Sequence, residues 1–126
     1  MVDYPRSVGV AELIQNELGE LLLRHVKDPR VRGVRITRVE VSPDLGQAKA
    51  HFSRYGEERG GEEELEEGLR GLERAAGFLQ GKLGERLRLR RTPQLRFYID
   101  RSLAQSDHIE RLIQGLREES AGEGGA

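Results

Sequence analysis

The apolar residues of this chain change period four times, and the order of those changes excludes most folds. Val10, Leu13, Ile14, Leu18, Leu21, Leu22 and Val26 recur at the spacing of one helix face. Pro5 is placed to open that helix, and Pro29 biases Asp28 away from helical geometry, so a stop at Asp28 is predicted. "GVRITRVEVSPDLGQAKAHFS" then reads as two strands around the turn residues Ser42, Pro43, Asp44 and Gly46. A helical period returns with Leu65, Leu69, Leu72 and Ala76, alternation returns in "TPQLRFYID", and "SLAQSDHIERLIQGL" closes with a last helix. Because a helical crossover precedes the third strand, that strand cannot simply extend an antiparallel meander. The predicted fold class is α+β, a three-stranded mixed sheet with helices packed on one face.

Strand parity divides the side chains between the two faces of that sheet. Ala48, Ala50 and Phe52 point one way, and Gln47, Lys49, His51 and Ser53 the other. In the third strand Leu95, Phe97 and Ile99 alternate with Gln94, Arg96 and Tyr98. Between Ile36 and Val39 the apolar parity slips, which fits either a bulge near Thr37 or burial of both faces. On the first helix, Glu20 and Arg24 are spaced for an i, i+4 ion pair on the side away from the core.

At 126 residues the chain is sized for one domain, expected over residues 1–117, with a tail at 118–126 that has nothing to bury. Cysteine is absent, which removes disulfides and thiol nucleophiles and suits a reducing compartment. The opening "MVDYPRSV" lacks the flank and apolar run of a signal peptide, and no stretch is apolar enough to span a membrane, so a cytoplasmic protein is expected. His25, His51 and His108 lack metal-ligand spacing, the carboxylates of residues 62–67 suit the first turn of a helix, and Ser42 and Ser102 sit in turn or cap contexts. Neither catalysis, nor a metal, nor a cofactor is expected.

A net charge of −1 conceals a divided distribution. Residues 55–75 hold three basic against eight acidic side chains, whereas residues 76–101 hold seven against two. Such clustering outlines a nucleic-acid face with an acidic flank elsewhere. The basic segment includes "RAAGFLQGKLGERLRLRR", where Gly77, Gly81 and Gly84 interrupt a leucine stripe at a cost of about 1 kcal/mol each relative to alanine. With Arg88 they form a row about 120° round the helix from the leucines, and a row without side chains lets another backbone approach. "GKLG" at residues 81–84 matches the G-x-x-G pattern of KH domains but lies inside the helical period; the better junction is at Ala75, Ala76 and Gly77.

Taken together, the opening helix ending in "KDPR", the hairpin, "LERAAGFLQGKLGERLRLRRTPQLRFYIDRSL" and the closing "IERLI" resemble the bacterial ribosome-binding factor A family over residues 5 to about 116. The resemblance implies a KH-like (type II) fold in which an Ala-x-Gly kink, matched by Ala75 and Gly77, stands between two helices. It further implies a non-catalytic assembly factor, related to cold-shock growth, that binds the immature small (30S) ribosomal subunit. There it assists late maturation and processing of 16S rRNA near its 5′-terminal helix, with a GTPase assembly factor as a further candidate partner.

The residues expected to meet RNA are Arg86, Arg88, Arg90 and Arg91, with Arg74 and Lys82 at the edges and Ala75 and Gly77 at the kink. Lys27, Arg30 and Arg32 form a second basic cluster. Nothing in the residues demands more than a monomer. The competing expectations are a KH-like RNA binder outside ribosome assembly and a protein-interaction module.

Overall fold

The computed structural model of the chain describes residues 6–55 and 61–101. Helix α1 spans Arg6–Arg24, strands β1 and β2 span Val34–Val41 and Gln47–Arg54, helix α2 spans Glu62–Leu87, and strand β3 spans Gln94–Ile99. A 3-10 turn at Pro29–Val31 links α1 to β1. The sheet order is β1-β2-β3, with β1 antiparallel and β3 parallel to β2, the mixed topology that a crossover through α2 requires. The fold is α+β and KH-like in its elements and their order. Pro5, the closing helix expected around residues 102–116 and the tail at 118–126 lie outside the described residues.

Ile14, Leu18 and Leu21 of α1, Leu72, Leu79 and Leu83 of α2, and Ala48, Ala50 and Phe52 of β2 are wholly buried in one cluster. The two alanines of the central strand leave room for both helices against the same face. Leu13 departs from expectation and is 50% exposed, because at 100° per residue it lies well off the centre of the stripe and Ala11 takes the inner seat. Helix α1 also stops at Arg24, short of Asp28, with the His25 amide donating to the Leu21 carbonyl at 2.8 Å. Asp28 instead caps the 3-10 turn, accepting from the Arg30 amide at 2.9 Å, while Val26 packs against the core.

The slipped parity of β1 is a bulge. The register shifts between Ile36 and Arg38, and the hydroxyl of Thr37 donates to Asp100 Oδ2 at 2.6 Å. The hairpin turn places Leu45, and not Gly46, in the left-handed region at φ 61°, with the Leu45 amide donating to the Ser42 carbonyl at 2.8 Å.

In place of the two helices expected across Ala75–Gly77, a single uninterrupted helix of 26 residues runs through that joint. Alanine is the best helix former, no proline intervenes, and a Cβ built at Gly77 meets no atom within 4 Å, so no neighbour forces a break there. The close approaches lie at other glycines. A Cβ at Gly71 would stand 2.9 Å from Val31 Cγ1, one at Gly68 3.3 Å from the Phe52 ring, and one at Gly84 3.1 Å from Thr92 Oγ1. Gly84 therefore serves the turn back toward β3, while Gly77 and Gly81 leave the outer face of α2 bare.

Candidate nucleic-acid interface

The basic residues singled out in the sequence divide into two clusters, one around the 3-10 turn beside α2 and one just past the C-terminal end of α2. Arg74 is exposed near the 3-10 turn and close enough to help lower the Asp28 pKa, which groups it with Lys27, Arg30 and Arg32. Arg88, Arg90 and Arg91 lie at the other end, about 21 Å along the helix at 1.5 Å per residue. Between them runs the solvent face of α2, where exposed Gly77 and Gly81 flank Phe78. Phe78 is 45% exposed with Lys82 Nζ 5.9 Å from its ring centroid, and it escaped the sequence reasoning because it sits beside Leu79 and passes for core. Its offset from the leucine stripe was the available signal. Ala75, the other half of the expected kink, is half-buried against the core.

Not every cation in these clusters is available to a phosphate. Arg86 turns inward to α1, with Nη1 3.0 Å from Glu17 and 3.9 Å from Glu20, and Nη2 3.3 Å from His25 Nε2. It is a strut between the helices, and Glu20 faces it in place of the expected partner Arg24. Lys82 Nζ lies 3.5 Å from Glu85 one helical turn on. Arg30 is held by Asp28, to which its Nη2 donates at 2.7 Å. The Arg30 side chain, and then its amide, hold the Asp28 carboxyl down at about 2.

Arg88, Arg90 and Arg91 are exposed and make no ion pair within 4 Å among the described residues. Arg91 acts at longer range as a minor contributor to the lowered pKa of Asp44, whose main cause is the Ser42 hydroxyl. Arg88 ends α2 in the left-handed region at φ 50°, which carries the chain off the helix axis toward β3. Arg32 and Lys27 are exposed as well, and the Arg32 carbonyl is taken by Arg54.

Two polar residues that sequence reasoning passed over hold this frame in place. Gln80 donates to the Pro93 carbonyl at 2.7 Å and accepts from the Leu95 amide at 2.9 Å, so one side chain ties α2 to the start of β3. Arg54 is buried and donates to the carbonyls of Arg32 (2.9 Å), Glu64 (2.9 Å) and Pro29 (3.2 Å), with Glu67 3.6 Å away. A lone glutamine in a leucine helix and an arginine at an inward strand position were the signals, each a polar group where parity calls for a buried one.

The arrangement presents a bare helix face with cations at both ends, which suits close passage of a polyanionic backbone. The ribosome-binding factor A family model matches residues 6–113. A ribosome-binding factor A from Azoarcus sp. (strain BH72) is 46% identical over 111 residues, covering 88% of this chain and 85% of the relative. The crystal structure of the factor from Thermus thermophilus superposes with a TM-score of 0.65 at 27% identity, covering 76% of this chain and 97% of that one. A homology model of the Thermus thermophilus factor, fitted into a cryo-EM map of its complex with the 30S subunit, gives a TM-score of 0.57 at 28% identity over 72% of this chain and 91% of that one. With the family model spanning nearly the whole chain and the fold shared with solved structures, the chain belongs to the ribosome-binding factor A family.

Proposed function

We propose that this protein is a non-catalytic assembly factor that binds the immature 30S ribosomal subunit and assists late maturation and processing of 16S rRNA in the region of its 5′-terminal helix. The observation that carries this reading is the likeness to the Thermus thermophilus factor fitted into a map of its 30S complex. The bare α2 face, ending in Arg88, Arg90 and Arg91, which have no ion pair among the described residues, gives it a physical basis on this chain. In this reading Arg88, Arg90 and Arg91 neutralise phosphates, Arg74, Lys27 and Arg32 extend the contact at the other end, and Gly77 and Gly81 admit the backbone between them. Lys82 and Arg30 contribute only after leaving their carboxylates, and Arg86 serves the fold. The protein works as a monomer in the cytoplasm, with residues 1–117 as the binding domain, and a GTPase assembly factor is a candidate for triggering its release. Among the described residues no helix is long and apolar enough to cross a membrane.

Sedimentation of cell extract tests the reading. Co-migration with free small subunits, lost on ribonuclease treatment, is expected, whereas scattered RNA or a ribonuclease-resistant complex would overturn it. Alanine at Arg88, Arg90 and Arg91 together is expected to weaken subunit binding and to flatten its salt dependence by about 0.7 to 0.9 log units for each phosphate no longer neutralised. Binding unchanged across a salt series would remove the arginine run from the interface. Crosslinking and sequencing of bound rRNA locates the contact.

A further inference from the structure

The face of the sheet turned away from the helices is organised in two cross-strand rows. Glu40 pairs with Lys49, which pairs with Arg96; one step along, Arg38 pairs with His51, which pairs with Tyr98. Neighbouring strands stand about 4.8 Å apart and the rows about 6.6 Å apart, so six side chains share one small platform. Three of them are permanent cations and one is an anion. Glu40 is already engaged, 3.2 Å from Arg38 and 3.5 Å from His51. Lys49 and Arg96 are exposed and make no ion pair within 4 Å among the described residues.

Tyr98 is the aromatic centre of the platform and is 40% exposed. The His51 ring lies 5.7 Å from it at an interplanar angle of 31°, and Lys49 Nζ lies 5.9 Å from its centroid. No aliphatic side chain belongs to either row, so the apolar centre expected of a protein-docking surface is missing here. An exposed aromatic ring beside Lys49 and Arg96, neither ion-paired among the described residues, matches the chemistry of single-stranded nucleic acid, in which bases stack on rings and phosphates meet Lys and Arg. Arg96 follows Arg91 by five residues along the chain, within β3.

We propose that this sheet face is a second RNA-binding site, which takes an unpaired nucleotide by stacking its base on Tyr98. The base displaces the Lys49 ammonium from the ring, and Lys49 and Arg96 then take the adjoining phosphates. His51 supports the ring from the side. The proposal rests on the RNA-binding reading given above, and adds to the helix ridge a site selective for unpaired over duplex RNA.

The test uses the full chain, a short labelled single-stranded oligoadenylate and a blunt RNA duplex, with binding read by fluorescence anisotropy across a salt series. Tyr98→Ala is expected to weaken oligoadenylate binding about 5- to 150-fold and to leave duplex binding unchanged, while Tyr98→Phe retains the affinity of the parent. Replacing Lys49 and Arg96 together with serine is expected to lower the salt slope by about 0.7 for each phosphate no longer neutralised. Circular dichroism of each variant checks that the fold is intact. If the variant with alanine at Arg88, Arg90 and Arg91 loses RNA but Tyr98→Ala does not, the sheet-face proposal is overturned and the RNA reading stands. If the parent chain binds neither RNA, both fall. Equal loss of oligoadenylate and duplex binding in Tyr98→Ala also overturns it.

Discussion

Glycines in one helix have opposite effects according to what faces them. A Cβ at Gly71 would stand 2.9 Å from Val31 Cγ1 and 3.0 Å from Arg30 Cβ, atoms of a stiff β-branched side chain and of a side-chain root that cannot swing aside. At Gly77 and Gly81 there is open space. Gly71→Ala is therefore expected to destabilise the fold by about 1 to 3 kcal/mol through overpacking. Gly77→Ala and Gly81→Ala are each expected to stabilise it by about 0.5 to 1 kcal/mol through helix propensity. Urea unfolding midpoints of the three variants check the signs. If the bare face admits RNA backbone, the two stabilised variants also bind the subunit more weakly, separating the functional role of these glycines from their energetic cost. Glycine abundance was legible in the sequence, but the division into close-packed and open sites was not, because it depends on atoms of other elements, as on Val31 and Arg30 at Gly71.

Among the elements, α2 and β3 pack through Leu79, Leu83, Leu95 and Phe97, and the side chain of Gln80 adds the hydrogen bonds that hold the start of β3. Pro93 is fully buried, and its carbonyl and the Leu95 amide both find their partner in Gln80. Gln80→Ala is expected to cost about 1 to 3 kcal/mol, because it leaves a buried donor and acceptor without partners. Hydrogen exchange is expected to show the loss as faster exchange of the Leu95 amide ahead of β2 amides. Equal protection in the variant would show that Gln80 is dispensable. The same element explains the largest departure from expectation. The motif at Ala75–Gly77 predicts a joint between two helices, but the leucines on both sides of it belong to one stripe from Leu65 to Leu83, and burial of that stripe holds the helix continuous.

Across the whole molecule, ionised carboxylates hold two local turns and one contact between segments distant in sequence. Asp28 holds the turn that packs on α2, Asp44 closes the hairpin through Ser42, and Glu62 ties the start of α2 to Arg101 at the exit of β3. The Arg30 side chain holds Asp28 at about 2, and hydrogen bonds from Ser42 and Arg101 lower Asp44 and Glu62. A folded-state pKa below the unfolded value gives stability that is complete above the ordinary carboxylate range and is lost as pH falls through the folded value. For Asp28 that window runs from 3.8 down to about 2. The parent is expected to lose urea resistance through this window, and Asp28→Asn, already lacking the charge, to lose less. Parallel pH profiles for the two would exclude the pair as a contributor. All three carboxylates are solvent-accessible, so added salt is expected to reduce the difference.

The primary structure alone sets the order of the described elements, save that α2 is one helix where two were expected, together with the mixed sheet, the inner and outer faces of β2 and β3 and the family, because period, parity and motif are properties of neighbours along the chain. It also narrowed the irregularity of β1 to a bulge or two-sided burial, and the Thr37 bond to Asp100 decided for the bulge. Which arginines are available emerges only once the chain is folded. Arg86 is occupied by Glu17 and Glu20 of another helix, whereas Arg88, Arg90 and Arg91, in the same run, have no carboxylate within reach among the described residues. The physical reason is one of range: an ion pair or a close backbone approach is set over a few ångströms in space, between residues that the chain separates by dozens of positions.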